Sequence, residues 1–546
     1  MRRLPLSIIA KSGLPVFAKN DAKTKRLSRS CVGLPTQTCL AILALALCGA
    51  PAAAQTITVA LPADIRSSDP GVNRDDTTDA VVLHVVEGLV GYAEDGTVGP
   101  LLAEKVDVSA DGLTYSFTLR EGVTFHNGAP LTPADVLWSW SRYMTPATNW
   151  RCLGEFDGRN GLKVETVTAP DARIVVMTLN KPNALFLDTL ARTDCATGVI
   201  HKDSVKADGS WDRPVGTGPF KFGEWKRGQS LQLLAFDKYL SPKGDKRDGY
   251  LGSKRPLVKE VRFLVVSDVA TAKTGLLSGA IDLEQIQESD VAELQNAPGV
   301  QVKYASNPVR QGLIIQTRDP LLKNVKLRQA IAAAIDFNEL VAAVSSNLGK
   351  PNNSPIYEGS RYFGAVEHQG FTYDPVKAKA LLKEAGYKGE PITILANKRA
   401  NVPSFATAVI AQAMMQAAGI NAQIEVLEWA TQLDRFNSGN YQMQAFSYSA
   451  RFDPASGFEQ VSGPKDKQPR KLWEDPEALA LIDKARTVTG ATERQAIFDE
   501  LHKRFIADVP AIFTHNQIDA WGMSKRMRGV EPWASKPRLW EVSVAQ

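Results

Sequence analysis

From residue 56 onward, apolar and polar residues alternate or recur with helical spacing in short blocks. Residues 56–61 (TITVAL) read as a first strand, and 113–119 (LTYSFTL) alternates as a half-buried strand does. Residues 174–179 and 261–266 read as further strands. Helices share one start signal. Thr132-Pro133, Asp374-Pro375 and Asp475-Pro476 each place an N-cap acceptor before a proline at the first helical position, where a missing N–H costs nothing. The helix opened by Asp374 (DPVKAKALLKEAG) ends at Gly386, a C-cap position. Residues 326–335 and 404–418 also carry helical spacing, while 309–317 (VRQGLIIQT) and 511–515 (AIFTH) read as apolar strands. Strands and helices mix throughout, without repeats or low-complexity linkers, so the fold class is α/β.

The first 54 residues follow a different rule. Residues 40–50 (LAILALALCGA) are apolar and uncharged, but too short for the roughly twenty residues a membrane span needs. A basic segment precedes them, and Pro51-Ala52-Ala53-Ala54 follows with the small-x-small pattern of a cleavage site. Residues 1–54 therefore read as a secretory signal peptide cleaved after Ala54. Cys48 follows Leu47 rather than the small residue of a lipobox, and Arg2-Arg3 lies far from the apolar stretch. Lipoprotein and twin-arginine signals are thus the lesser readings.

Charge changes meaning once that segment is set aside. The 546-residue chain carries a formal +5, but from Gln55 onward 56 basic side chains face 58 acidic ones, a net of −2. A nucleic-acid-binding body would be distinctly basic, so that class is excluded. With 44% hydrophobic and 23% charged residues the chain is globular, and its length suits about three domains. Beyond the signal only Cys152 and Cys195 remain. In the oxidising compartment that export implies, they are expected to form a disulfide, with two buried free thiols as the alternative.

Catalytic signatures are missing. Gly349-Lys350 is followed by Pro351, so there is no phosphate loop, and no GxSxG, HExxH or CxxC occurs. The six histidines show no metal-ligand spacing. Gly216-Thr217-Gly218 leads into the strand-like 220–222 rather than a helix, and reads as a turn. No catalytic residue, cofactor or metal is assigned. A periplasmic peptidase or amidase is the rival from another class, but no nucleophile–base pair supports it.

Several segments together resemble the family 5 solute-binding proteins of ABC importers, the oligopeptide- and dipeptide-binding group. They are Glu87-Gly88-Leu89-Val90 with Pro100-Leu101-Leu102-Ala103; 111–142 (DGLTYSFTLREGVTFHNGAPLTPADVLWSWSR); 215–220 (VGTGPF); 278–283 (SGAIDL); 325–336 (VKLRQAIAAAID); and 373–387 (YDPVKAKALLKEAGY). The resemblance implies a two-lobed periplasmic binding protein clamshell with an extra domain on the N-terminal lobe. The N-terminal lobe would take 55–95, 205–308 and 513–546, the extra domain 96–204, and the C-terminal lobe 309–512. Strands at 309–317 and 511–515 would join the lobes. The implied function is that of a periplasmic receptor, monomeric, which captures a peptide-like or anionic amine-containing solute and delivers it to an inner-membrane ABC permease with its ATPase subunits. A metal-chelate or haem carrier is the alternative within the family. Nickel-chelate members use a pocket histidine, and this chain has none between Gln369 and Leu501.

The resemblance also implies cleft residues. A loop after Asp69-Pro70 falls at Arg74-Asp75-Asp76, and Asn149-Trp150-Arg151 matches a second ligand-facing turn. Trp429 and Tyr448, nineteen apart, match two aromatics that pack on the ligand. Arg310, on the first crossing strand, and Ala450 complete the set. Peptide binders carry an aspartate three residues after the second aromatic, where it pairs with the peptide's ammonium group. Here that position is Arg451. A guanidinium repels an amine and grips a carboxylate or phosphate, so acidic or modified peptides, glutathione-like thiols and opine-like conjugates gain over plain free-amine peptides. Asp75 or Asp76 would then take an amine from the opposite lobe. Internal pairing of Arg451 with Asp453 or another acid, which would leave it only bracing the pocket, is the competing reading.

Overall fold

The computed structural model describes residues 56–72, 76–399, 402–488 and 490–545. The signal segment, Arg74 and Asp75 lie outside these residues. No helix among the described residues is long and apolar enough to cross a membrane.

One ten-stranded mixed sheet runs through the molecule. Phe220–Lys226, Ser230–Ala235, Glu260–Val265, Thr56–Leu61 and Leu283–Gln285 form one end, and Met443–Tyr448, Ile392–Ala396 and Ala422–Val426 the other. Between them lie the two longest strands, Ala511–Ser524 and Val300–Ile315. They pair antiparallel, from Val300 opposite Ser524 to Ile314 opposite Ala511. Both extend nine residues beyond the apolar stretches seen in the sequence. Their extra lengths carry residues such as Asn307, Asn516 and Asp519, which interrupt the apolar pattern yet are buried. Hydrogen bonding makes that burial tolerable. Asn307 donates to Asp519 at 2.8 Å and accepts the Val309 N–H at 2.7 Å.

The register of this pair shifts between Ser306 and Arg310, and again between Gln311 and Gly312. At the second shift the chains come so close that a Cβ on Gly312 would sit 2.4 Å from the Ile512 carbonyl oxygen, so only glycine fits. We propose that the first break is the hinge between the lobes. It is the point where two otherwise continuous strands are free to bend, and it lies at the expected 308/309 boundary.

A separate four-stranded antiparallel sheet, in the order Ala103–Val108, Thr114–Leu119, Ile174–Leu179, Val164–Thr168, accounts for the extra domain's strands. Tyr115, Phe117, Val175 and Met177 are buried in a core with Val136 and Tyr143 of the helix Pro133–Met144. The proline start signals all open helices. Asp374 accepts the Lys377 N–H, and Asp475 accepts the Ala478 N–H at 2.7 Å. At Thr132 the chain's N–H and hydroxyl both bond Asp135. Asp453-Pro454 carries the same signal and caps a fourth helix, Pro454–Val461.

Two of the motif segments meet inside the N-terminal lobe. Glu87 is fully buried and accepts from Lys254 at 2.8 Å, Tyr239 at 2.7 Å and Thr217 at 3.1 Å. Its carboxylate is held below the ordinary range: burial alone would raise it, but Lys254 overrides burial. The glycines flanking Thr217 pack on the Glu87 helix exit, where a Cβ on Gly216 would come within 2.1 Å of the Val85 carbonyl oxygen.

Cys152 and Cys195 are joined in a disulfide, with Cα atoms 5.4 Å apart across a separation of 43 residues. Closing a loop of that length stabilises a fold by roughly 4 kcal/mol in the chain-entropy account. Replacing both cysteines with serine is expected to destabilise the extra domain by about 2–4 kcal/mol, read by urea unfolding of the exported protein with and without reductant. A double variant as stable as the oxidised wild type contradicts this.

Candidate ligand-binding cleft

The parallel strands Ile392–Ala396 and Ala422–Val426, with Met443–Tyr448 beside them, end at one edge of the C-terminal lobe. Ligands of open α/β sheets bind at such carboxyl ends. Trp429 is the first residue of the helix Trp429–Ser438, half-buried, with its ring 5.7 Å from Phe446 and the Arg399 guanidinium 3.8 Å above it. Tyr448 ends its strand opposite Arg310. Its ring lies 5.2 Å from Phe446, 6.0 Å from Phe436 and 6.1 Å from Phe513. The two aromatics expected at the cleft thus flank a third, Phe446. The Tyr448 hydroxyl is buried without a hydrogen-bond partner, and burial pushes its pKa well up.

Two guanidiniums sit beside it. Arg310, 2% exposed, donates to the carbonyls of Pro355 at 2.8 Å and Gly457 at 3.1 Å, and to the Gln460 side chain. All three acceptors are neutral. Burial, then the charge of Arg451, pulls its pKa down to about 9. Arg451 makes one hydrogen bond, to the Ala450 carbonyl at 2.7 Å. Neither arginine has a carboxylate within 4 Å among the described residues. Burial lowers the Arg451 pKa, the nearby Arg192 lowers it further, and Asp194, Tyr92 and Asp188 act the other way. Asp453 does not neutralise it. Asp453 is bound in a two-pronged pair by Arg494, at 2.8 and 2.9 Å.

The N-terminal lobe supplies the facing wall. Arg192 grips Asp194 at 2.9 and 2.7 Å. Burial alone would raise the Asp194 carboxyl, but Arg192 holds it well below the usual range. Phe452 extends across from the C-terminal lobe. It stacks on Trp533 at 5.3 Å and lies 4.6 Å from Tyr92. Gly96 has φ +78° and a Cβ there would come within 2.8 Å of the Phe452 ring, so this seat requires glycine. Ser456 donates across the same junction to Asp188 at 3.1 Å, which also accepts from Tyr92 at 2.8 Å.

The remaining expected residues have other surroundings. Trp150 is 3% exposed, stacks on Phe156 at 5.5 Å and spends its N–H on the Cys195 carbonyl at 2.7 Å, so it braces the disulfide from within the core. Arg151 is buried and paired with Asp79 at 2.8 Å. Asp76 opens the helix Asp76–Val82. Arg192, Asp194, Asp188 and Phe452 were not legible as cleft residues. The only local cue was the position of Arg192-Thr193-Asp194 directly before Cys195.

Asp188 gives this junction a pH dependence. Burial, then the charge of Asp453, raises its pKa from 3.8 to about 6. The folded protein therefore holds more protons on Asp188 than the unfolded chain between those values, and this contribution to stability is lost as pH rises through about 6. Asp188→Asn removes the titration. Its melting temperature relative to wild type is expected to rise steadily from pH 4 to pH 7, roughly the window between the two pKa values. A difference that stays flat over that range contradicts this assignment.

The sequence pattern of the bacterial extracellular solute-binding proteins, family 5 Middle, matches residues 97–468. The chain is 26% identical over 487 residues to the probable D,D-dipeptide-binding periplasmic protein DdpA of Escherichia coli (strain K12), covering 86% of this chain and 89% of that one. It is 25% identical over 498 residues to the glutathione-binding protein GsiB of Pectobacterium atrosepticum, covering 87% and 91%. Among solved structures, HbpA2 from Haemophilus parasuis superposes with a TM-score of 0.78 at 24% identity, covering 90% of this chain and all of that one. The binding protein AgaA from A. tumefaciens R10, in complex with agropinic acid, superposes with a TM-score of 0.71 at 25% identity, covering 90% and 99%. The two-lobed fold, the aromatic-lined strand ends and the length of the match agree, and the chain belongs to the bacterial extracellular solute-binding proteins of family 5.

Proposed function

We propose that this substrate-binding receptor of an ABC importer takes a peptide-like solute with an anionic group, and that Arg451 is the anchor for that group. The observation that carries the reading is the state of Arg451: enclosed between the lobes, hydrogen-bonded only to the Ala450 carbonyl, and without an ion pair among the described residues, Asp194 and Asp188 acting on it only through their charge. An enclosed charge without a partner is costly, and a ligand carboxylate or phosphate supplies the missing one with bidentate geometry. Arg310 adds positive field from behind, Tyr448 offers an unused hydroxyl, and Trp429 with Arg399 above it forms an amphipathic wall. The loop at Arg74, Asp75 and Asp76 is the N-terminal lobe's contribution, and its carboxylates suit an amine on the same solute. Trp150 and Arg151 support the wall from behind. Relatives named for glutathione and seen with agropinic acid support an acidic ligand class. On this reading the protein acts in the periplasm as a monomer after cleavage behind Ala54, closes on its ligand and docks on a membrane permease served by ATPase subunits.

Calorimetric titration with glutathione, an acidic dipeptide, an opine and a neutral free-amine dipeptide tests the reading. The acidic solutes are expected to bind more tightly than the neutral dipeptide. Truncating one partner of a buried charge pair typically costs about 2–5 kcal/mol. Arg451→Ala is therefore expected to weaken the best anionic ligand at least about tenfold with an unchanged melting temperature, and Arg451→Asp to weaken it further. Binding by Arg451→Ala within about threefold of wild type makes the side chain structural and ends the proposal.

A further inference from the structure

A cavity of about 680 Å³ opens at the far end of the C-terminal lobe, lined only by residues between Gln316 and Pro469. It is separate from the cleft. The cleft edge is marked by Arg310 opposite Tyr448, whereas the cavity begins where the Gln316 N–H donates to the Gln442 carbonyl. Six residues of strand separate the two, about 20 Å.

The cavity wall holds a buried cation without an ion pair among the described residues, Glu474 acting on it only through its charge. Lys465 is 2% exposed, and its ammonium donates to the side-chain oxygens of Gln316 at 2.7 Å and Thr317 at 2.5 Å. Both are neutral acceptors, and no carboxylate lies within 4 Å of it among the described residues. An ammonium has three N–H donors, so one is left over. The nearby acids are engaged elsewhere. Asp466 and Glu474 are both held by Arg318, and Asp319 accepts the N–H groups of Leu321 and Leu322. Tyr441 also lines the cavity, but its buried hydroxyl is influenced by Tyr448 of the cleft. Gln316 ties the arrangement together, since its amide N–H donates to the Gly439 carbonyl at 3.0 Å while its oxygen receives Lys465. A Cβ on Gly439 would meet Pro469 and Gln316 at 2.9 and 3.0 Å, so the rim is closely fitted.

We propose that this cavity is a second binding site, distinct from the cleft, for a small oxyanion held by the Lys465 ammonium. Carboxylate and phosphate share the required chemistry: several acceptor oxygens and a charge that offsets a buried ammonium. Burial pushes the Lys465 pKa down to about 8, so most of the group is charged at neutral pH and an anion is favoured over a neutral guest. The site stands independently of the identity of the cleft ligand.

Titrations of the full mature protein with inorganic phosphate and with succinate test it, followed by calorimetry and by protection of Lys465 from acylation. At least one probe is expected to bind in the millimolar range, as one or two charged hydrogen bonds allow, and to slow Lys465 acylation. Lys465→Met is expected to weaken that probe at least about tenfold, while Arg451→Ala leaves it within about twofold. Phosphate alone binding identifies a phosphoryl guest, and succinate alone a carboxylate; either supports the site. Absence of binding by both probes up to about 50 mM overturns it. So does binding that Arg451→Ala removes and Lys465→Met does not, since the probe then occupies the cleft. If Lys465→Met fails to fold, the acylation result decides alone, and no protection overturns the proposal.

Discussion

A guanidinium enclosed between two lobes without an ion pair of its own is the constraint on which the proposed cleft depends. Moving an ion from water into a protein interior costs several kcal/mol unless a partner repays it. Among the described residues no acid forms an ion pair with Arg451. Asp453 is locked to Arg494 and Asp194 to Arg192, while Asp188 accepts from the hydroxyls of Tyr92 and Ser456 and acts on Arg451 only through its charge. Arg310 adds a second buried cation satisfied only by neutral oxygens. The acidic residues are therefore paired in a way that leaves positive charge facing the cleft.

The scaffold makes such a site usable because its moving parts are few. Two long strands lie between the two ends of the sheet, and their pairing shifts register twice, first where Asn307 bonds Asp519, the break proposed as the hinge. Bending at that break leaves the hydrogen-bonded ladders on either side intact. Phe452, next to Arg451, is seated against Tyr92 and Trp533, and we propose that closure depends on this contact. Aromatic packing beside an unneutralised charge means that the apolar contact favours closure while the charge opposes it until an anion arrives.

Local chemistry was legible in the sequence, and tertiary chemistry was not. The proline-started helices were readable because an N-cap acceptor and a proline act within one turn. Thr56–Leu61 and Ile174–Leu179 were readable because alternation is local. The crossing strands were read short, since Asn307 and Asp519 look like loop residues until their mutual hydrogen bond is seen. Trp150 matched a cleft motif by spacing, but its indole fills the disulfide core instead. The isolation of Arg451 was the least legible feature. Asp453, two residues on, looked like a partner, and only the fold brings Arg494 from forty-one residues away to take it.

A crystal structure of the protein with the tightest solute from the cleft screen tests the central claim most directly. The account predicts a carboxylate or phosphate oxygen within about 3 Å of the Arg451 guanidinium, beside the Tyr448 hydroxyl, with both lobes closed over it. A ligand that presents an ammonium or an apolar group at that position, or an Arg451 side chain turned away to an acid of the protein, contradicts the account.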